Sequence, residues 1–159
     1  MKIGVVGHKG YVGRSVFEFF SDQLRVEVIG RDLLENMPTP IHEICKCDFI
    51  FVCVPTPRAH DGSCNTDMVE GVLADIQDAR SADDYPIIVI KSTVPPGTSE
   101  MLAQQYGVLD IVFSPEFSGE SKYHTGYDFG TDMKALPWFV FGHTCGNKPQ
   151  AEKVADLFA

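Results

Sequence analysis

The chain has 159 residues and a net charge of −9 without any basic run, which suits one domain with its own core and argues against nucleic acid as a partner. Its five cysteines are an odd number without a C-x-x-C pair, so we predict free thiols in a reducing cytoplasm and no metal site. No apolar run approaches the ~20 residues of a membrane span, and the first residues do not resemble a signal peptide, so we predict a soluble cytoplasmic protein without a membrane partner.

Short apolar runs, rich in β-branched and aromatic residues, recur along the chain and predict β-strands. They are apolar almost throughout rather than alternating, which is typical of parallel strands covered on both faces. The predicted strands are Ile3–Val6, Val26–Ile29, Phe49–Val54, Ile87–Ile90, Val108–Phe113 and Trp138–Phe141.

Helical patterns separate these strands. Apolar residues share one helix face from Val12 to Phe20 and again from Met68 to Ile76, where Thr66 is the predicted cap. Two prolines introduce a further helix at Gly97–Tyr106, and the chain closes on a helical pattern at Pro149–Ala159. Strand–helix alternation predicts an α/β, Rossmann-like, doubly wound fold with a mainly parallel sheet, as one domain over residues 1–159.

A glycine run, G-x-x-G-x-x-G, follows the first strand and opens the first helix. In this context Gly7 permits a tight turn, Gly10 lets the backbone approach a pyrophosphate, and Gly13 lets the helix pack on the strand. The N–H groups at the helix start, over Tyr11 and Val12, would then bind the phosphates. The alternative is a plain strand–loop–helix turn with glycines for packing.

The turn is one residue longer than the usual dinucleotide fingerprint, and we interpret His8 and Lys9 as solvated loop residues. Asp32 follows the second strand at about the ~20 residues expected for a carboxylate that accepts ribose hydroxyls. A helix cap is the alternative role for this side chain. Arg31 could meet the 2′-phosphate of NADP, but Asp32 would repel that phosphate, so NAD is the predicted cofactor.

Three further motifs end predicted strands: Pro55-Thr56-Pro57, Ser92-Thr93 and Ser114-Pro115-Glu116. The carboxyl ends of parallel strands gather at one edge of a sheet, and ligands bind there in doubly wound folds. With the glycine turn, this set resembles the NAD-binding domain of the UDP-glucose/GDP-mannose dehydrogenase family. The resemblance runs from residue 2 to about residue 126 and is carried by Gly10-Tyr11-Val12-Gly13, Val54-Pro55-Thr56-Pro57 with Asp61-Gly62, Lys91-Ser92-Thr93-Val94-Pro95 with Gly97-Thr98, and Ser114-Pro115-Glu116-Phe117.

The resemblance implies NAD-dependent oxidation of the primary alcohol of a nucleotide sugar to a carboxylate, with a cysteine thiol that captures the aldehyde. It implies that Thr93 and Glu116 hold a catalytic water and relay protons, and that Glu120 is a second carboxylate near the nicotinamide. It also assigns cofactor contacts to Pro55, Thr56, Thr93 and Glu120. Plainer roles stay open: both glutamates on a solvated turn, and Thr93 as a helix cap.

The chain departs from the family pattern in three places. The first is the longer glycine turn. The second is the short stretch Leu33–Cys47, where the family has an insert with another strand; Pro38 and Pro40 disfavour a strand here, so we predict a sheet shortened at this edge. Third, no segment matches the substrate-binding domain or the nucleophilic cysteine, and Cys145 is predicted to be a surface-loop thiol.

Two principal functions follow. The chain is either the cofactor domain of a nucleotide-sugar dehydrogenase, incomplete without a further domain or a second chain, or a stand-alone NAD-binding module without dehydrogenase activity. A structural protein that has lost the cofactor is a third possibility, against which the glycine turn and Asp32 both argue. The sequence leaves the oligomeric state and the identity of the sugar open.

Overall fold

The computed structural model describes residues 1–107, 109–116, 133–136, 138–144 and 146–159. Strands and helices alternate through most of this part of the chain. The strands are β1 (Lys2–Val6), β2 (Glu27–Arg31), β3 (Phe49–Val52), β4 (Ile87–Ile90), β5 (Asp110–Phe113) and β6 (Gly142–His143). The helices are α1 (Tyr11–Ser21), α2 (Ile41–Cys45), α3 (Asp67–Ala79), α4 (Thr98–Gln105) and α5 (Lys148–Asp156), with a 3-10 turn at Met133–Ala135.

The strands form one six-stranded sheet in the order β2-β1-β3-β4-β5-β6. All neighbours are parallel except β5 and β6. The predicted Rossmann-like fold is therefore confirmed. The chain runs from β1 to β2 on one side and then returns to β3 on the other, which places a topological switch point between β1 and β3.

Helices cover both faces of the sheet. On one face, α2, α3 and α4 bury Ile44, Leu73 and Leu102 against the strands. On the other, α1 and α5 bury Phe20 and Val154. Because β3 and β4 are buried on both faces, their sequences are continuously apolar, as the strand pattern predicted.

The predicted strand at Trp138–Phe141 is wrong, because the strand in this region is Gly142–His143 and runs antiparallel to β5. Phe139 and Phe141 pack around Phe158, with ring centroids 4.5 Å and 5.2 Å from it. Their apolar character serves this aromatic cluster rather than strand pairing. A single-sequence pattern of aromatic residues does not distinguish these two uses.

The stretch between β2 and β3 contains the short helix α2 and no strand, so the predicted shortening of the sheet is confirmed. Pro40 takes the N-cap position of α2. Thr66 likewise occupies the N-cap position of α3, as predicted, but makes no side-chain cap bond. Its hydroxyl instead donates to Glu70 Oε1 at 2.7 Å. The start of β5 was predicted at Val108, which lies outside the described residues.

Candidate functional site

The glycine turn is built by backbone contacts that tolerate no side chain. Gly7 has a φ of +87° and donates its N–H to Arg31 O at 2.8 Å. A Cβ on Gly7 would lie 2.5 Å from Cys53 O, and one on Gly13 would lie 2.1 Å from Gly7 O. Gly7 therefore makes the tight turn and Gly13 brings α1 against the strand, as their positions in the motif predicted.

Gly10 has a different environment. It is the N-cap residue of α1, its N–H donates to Gly7 O at 3.0 Å, and no side chain caps the helix. A Cβ on Gly10 would meet Gly7 O at 3.3 Å and no other heavy atom within 4 Å outside its chain neighbours. Apart from this contact, the space beside Gly10 at the start of α1 is open. An uncapped helix start with room before it fits the pyrophosphate of a dinucleotide.

The extra residue of the turn folds inward. The His8 side chain is only 11% exposed, and its ring lies over Gly30 of β2, where a Cβ would sit 2.6 Å from the ring. The ring also packs on Phe17 at a centroid distance of 5.4 Å. The interpretation of His8 as a solvated residue is therefore wrong. Lys9 is half exposed and lies 3.4 Å from Glu35 Oε1, as does His8 Nε2.

Asp32 is fixed by the same longer turn. Its Oδ2 accepts the Lys9 N–H at 2.9 Å, and its Oδ1 accepts the Leu34 N–H at 2.9 Å. The residue is 9% exposed. The bond to Leu34 closes a local turn rather than capping a helix, since no helix follows directly. Each carboxylate oxygen keeps a second lone pair, so the carboxylate retains acceptor capacity for hydroxyl groups.

Two loops meet beyond β3 and β4. The Cys64 thiol lies 3.9 Å from Thr56 O and 3.6 Å from Thr93 O, so one sulfur contacts both loops. The Ser92 hydroxyl donates to Val54 O at 2.7 Å and ties the loops a second time. Pro55 and Thr93 are exposed and Thr56 is half buried, so all three keep accessible surface beyond the carboxyl ends of β3 and β4.

A buried ion pair lies next along the sheet. Lys91 is 2% exposed, and its Nζ lies 3.2 Å from Glu116 Oε2 and 3.4 Å from Ser114 Oγ. Pairing of Ile90 with Phe113 brings Thr93 and Glu116 to equivalent positions beyond their strands. The Lys91 ammonium group lies against the Glu116 carboxylate, whose side chain is only 10% exposed. Such a carboxylate can orient a water molecule or a hydroxyl group.

The sequence motifs contain Lys91 and Ser92 but assign neither side chain a place in the site, and no motif includes Cys64. The signal for Lys91 was a charged residue directly after a fully apolar strand, where an unpaired charge would be costly. No comparable signal marks Cys64. Glu120, Phe117 and Cys145 lie outside the described residues, so their predicted positions receive no structural account.

The described thiols are free, as predicted: Cys45, Cys47, Cys53 and Cys64. Burial raises the pKa of Cys53 to about 12, although Lys91 nearby opposes that rise. Burial likewise raises the pKa of Cys47 to about 12. Neither thiol is a nucleophile near neutral pH, because only the thiolate reacts.

No group of three His, Cys, Asp or Glu side chains within the described ranges could hold a metal ion. No helix in the described part of the chain is long and apolar enough to cross a bilayer. A cleft of about 370 Å³ lies between the start of α4 and strands β5 and β6, lined in part by Val94, Pro96, Phe113 and His143. Of the predicted cofactor residues that the structure describes, none lines this cleft, so it is separate from the glycine turn.

Comparisons with known proteins bear on the family and the fold. The model of the NAD binding domain of the UDP-glucose/GDP-mannose dehydrogenase family matches residues 37–133. A UDP-glucose 6-dehydrogenase of Streptococcus pneumoniae is 29% identical over 166 residues, covering 84% of this chain and 42% of its own length. One from Campylobacter jejuni is 31% identical over 151 residues, covering 76% of this chain and 37% of its own length.

Solved structures show the same fold. A ternary complex of a GDP-mannose dehydrogenase from Pseudomonas aeruginosa superposes with a TM-score of 0.73 at 23% identity, covering 99% of this chain and 43% of its own. A UDP-glucose dehydrogenase from Pyrobaculum islandicum gives a TM-score of 0.67 at 22% identity. The chain spans less than half the length of these curated relatives and solved neighbours.

Proposed function

We propose, from the premise that this chain belongs to the UDP-glucose/GDP-mannose dehydrogenase family and is its NAD-binding domain, that it binds NAD⁺ for the oxidation of a nucleotide sugar. One observation carries the proposal. The uncapped start of α1 and the buried Lys91–Glu116 pair both lie at the carboxyl ends of the parallel strands of one sheet. This placement supports a site in which N–H groups that suit a phosphate and a carboxylate that suits proton transfer lie along the same edge.

Each part of the cofactor has a proposed site. The N–H groups of Tyr11 and Val12 bind the pyrophosphate, and Gly7 and Gly10 keep the turn free of side chains that would block it. The remaining lone pairs of Asp32 accept the ribose hydroxyls. Pro55, Thr56 and Thr93 border the nicotinamide end, and the bound NAD⁺ supplies the hydride acceptor.

Glu116 and Thr93 have the proposed catalytic roles. The Glu116 carboxylate is held by Lys91, which fixes its orientation relative to β5. From there it can hold a water or accept a proton, with the Thr93 hydroxyl as a second contact to that water. Glu120 completes the set through the family resemblance, as a carboxylate beside the nicotinamide.

The whole reaction needs groups beyond those described. Hydride transfer requires the sugar carbon to be positioned against the cofactor, and positioning supplies much of the rate enhancement. The high pKa of Cys53 and Cys47 makes both unsuitable as the nucleophile for aldehyde capture. We therefore propose that a further domain or a second chain provides the nucleotide-sugar site and the thiol. The reduced thiols support a cytoplasmic location.

Calorimetric titration of the chain with NAD⁺ and with NADP⁺ tests the binding part of the proposal. We expect NAD⁺ to bind and NADP⁺ to bind far more weakly, because Asp32 repels a 2′-phosphate. Gly10→Ala should lower NAD⁺ affinity by about tenfold or more through a clash with the pyrophosphate. Gly71→Ala is the matched control, because no heavy atom lies within 4 Å of its added Cβ. Equal affinities for all three proteins would refute the glycine-turn site.

The catalytic part is tested by NADH absorbance with NAD⁺ and a panel of nucleotide sugars. We expect no turnover by this chain alone. Turnover that persists on purification and is lost in Glu116→Gln would show that the chain completes its own site. NAD⁺ binding without turnover, even when the sugar-binding part of a relative is added, would favour the stand-alone NAD-binding module.

A further inference from the structure

The outer edge of β2 is unpaired in the described part of the chain. β2 is the first strand in the sheet order and is bonded to β1 alone. The Glu27 N–H donates to Met1 O at 3.0 Å, and Arg31 O accepts the Gly7 N–H, so these residues face β1. The peptide groups of Val28 and Gly30 therefore face outward, because successive residues of a strand alternate in direction.

This edge lacks the usual protection against pairing. Doubly wound folds with the order 3-2-1-4-5-6 place a further strand beside the second one, and this chain has only α2 in that stretch. β2 contains no proline, lysine or bulge that would discourage pairing. Large apolar side chains flank both ends of the strand and are 80–93% exposed: Leu24, Leu33, Leu34 and Met37. An open strand edge beside exposed apolar side chains marks an interaction surface.

We propose that a second copy of the chain pairs its β2 antiparallel with this edge, about a two-fold axis through Ile29. In this register Val28 of one copy exchanges both backbone hydrogen bonds with Gly30 of the other. The pairing repeats across the axis, so both copies satisfy their outward peptide groups and the assembly closes on itself. Because the two-fold interface uses the β2 edge of both copies, no β2 edge remains for a third copy, and the assembly is a dimer rather than a filament.

Charge complementarity selects this register. Within each chain Glu27 already lies 3.2 Å from Lys2 Nζ, and Arg31 donates to Thr39 O. With the axis at Ile29, Glu27 of each copy lies directly opposite Arg31 of the other, and opposite charges across an antiparallel pair are stabilising. An axis at Val28 would instead bring Arg31 against Arg25 of the other copy. An axis at Gly30 would leave Arg31 opposite Ile29.

The exposed leucines follow the same symmetry. Leu24 precedes β2, and Leu33 and Leu34 follow it. Antiparallel pairing about Ile29 brings the start of one strand beside the end of the other, so the turn that carries Leu24 in one copy approaches the turn that carries Leu33 and Leu34 in its partner. Apolar surface that is exposed in one copy is thereby covered at both ends of the shared edge.

Sedimentation velocity over a concentration series, combined with amide hydrogen exchange, tests the pairing directly. We expect reversible dimers, in which the amides of Val28 and Gly30 exchange more slowly as concentration rises. The Glu27 amide is the internal control, since it is already bonded to Met1 O. A monomer at every concentration would overturn the proposal. So would a dimer in which the Val28 and Gly30 amides exchange as fast as in the monomer.

A charge exchange tests the register. All variants carry Lys2→Met, which removes the ion pair that Glu27 makes within its own chain. In this background Glu27→Lys should weaken the dimer by about tenfold, because each copy then places a lysine opposite Arg31. Adding Arg31→Glu to the same chain should restore most of the affinity. The two positions lie about 13 Å apart along one strand, so recovery must come from contact between copies. Glu18→Lys makes the same charge change on the exposed face of α1 and should have no effect. Failure of the double variant to recover would exclude this register.

Discussion

The β1–β2 side of the site and the β3–β5 side position their polar groups by different means. On the first side the backbone positions the polar groups. Glycines leave room for a ligand, the uncapped start of α1 presents its N–H groups, and two backbone amides hold the Asp32 carboxylate. On the second side the groups are buried side chains, above all Lys91 and Glu116. The first side therefore depends on the absence of side chains, and the second on the balance of buried charge.

The largest effect is expected on the side-chain half. Lys91→Met removes the ammonium group that lies 3.2 Å from the mostly buried Glu116 carboxylate, which should lower the free energy of unfolding by about 3–5 kcal/mol. Adding Glu116→Leu should recover much of that loss, because an apolar pair needs no charge balance. Urea unfolding measures both. Lys148→Met, which removes an exposed ion pair with Glu152, should cost less than about 1 kcal/mol. Equal losses at Lys91 and Lys148 would contradict the burial argument.

On the backbone half, Gly13→Ala should be the most damaging change. Its Cβ would lie 2.1 Å from Gly7 O, and backbone atoms on both sides have little room to move. We expect a loss of about 2–3 kcal/mol in the free energy of unfolding. The control Gly71→Ala has open space and should instead gain about 1 kcal/mol through helix propensity. A Gly13→Ala protein as stable as the parent would show that the turn relaxes freely.

Asp32→Ala should have a smaller effect on stability. It leaves the N–H groups of Lys9 and Leu34 without their acceptor, at a cost of about 1–2 kcal/mol. It should also weaken NAD⁺ binding, which calorimetry detects separately. Asp61→Ala removes the acceptor of a similar turn at an exposed position, where the Asp61 carboxylate accepts hydrogen bonds from Ser63. It should lower the free energy of unfolding by less than Asp32→Ala does. If Asp61→Ala proves as costly as Asp32→Ala, the burial of Asp32 contributes nothing.

The last prediction needs no mutation and compares the rates at which three thiols are alkylated. Iodoacetamide at neutral pH should modify Cys64 well before Cys53 and Cys47, because burial raises the pKa of those two to about 12. Peptide mass spectrometry follows each site over time. All three should react alike in urea. Rapid alkylation of Cys53 in the folded protein would mean that the end of β3 opens far more readily than its packing indicates.

How far the sequence predicts this molecule differs from one region to another. Continuous apolar strands and the glycine turn predict the fold class, because both follow from local chemistry. The shortened edge follows equally well from Pro38, Pro40 and the brevity of the connection. The position of His8 does not, because it depends on Gly30 of the neighbouring strand, which leaves room for the ring. The contact of Lys9 with Asp32 is missed for a similar reason, since its donor is a backbone amide that no residue pattern reveals.

The packing of His8 on Gly30 also couples the two positions. Any side chain at position 30 would meet the imidazole ring, with a Cβ only 2.6 Å away. While the ring keeps this place, position 30 therefore accepts glycine and no larger residue. A smaller side chain at position 8 removes the ring and with it the steric demand on position 30, so the two positions constrain each other's choice of residue.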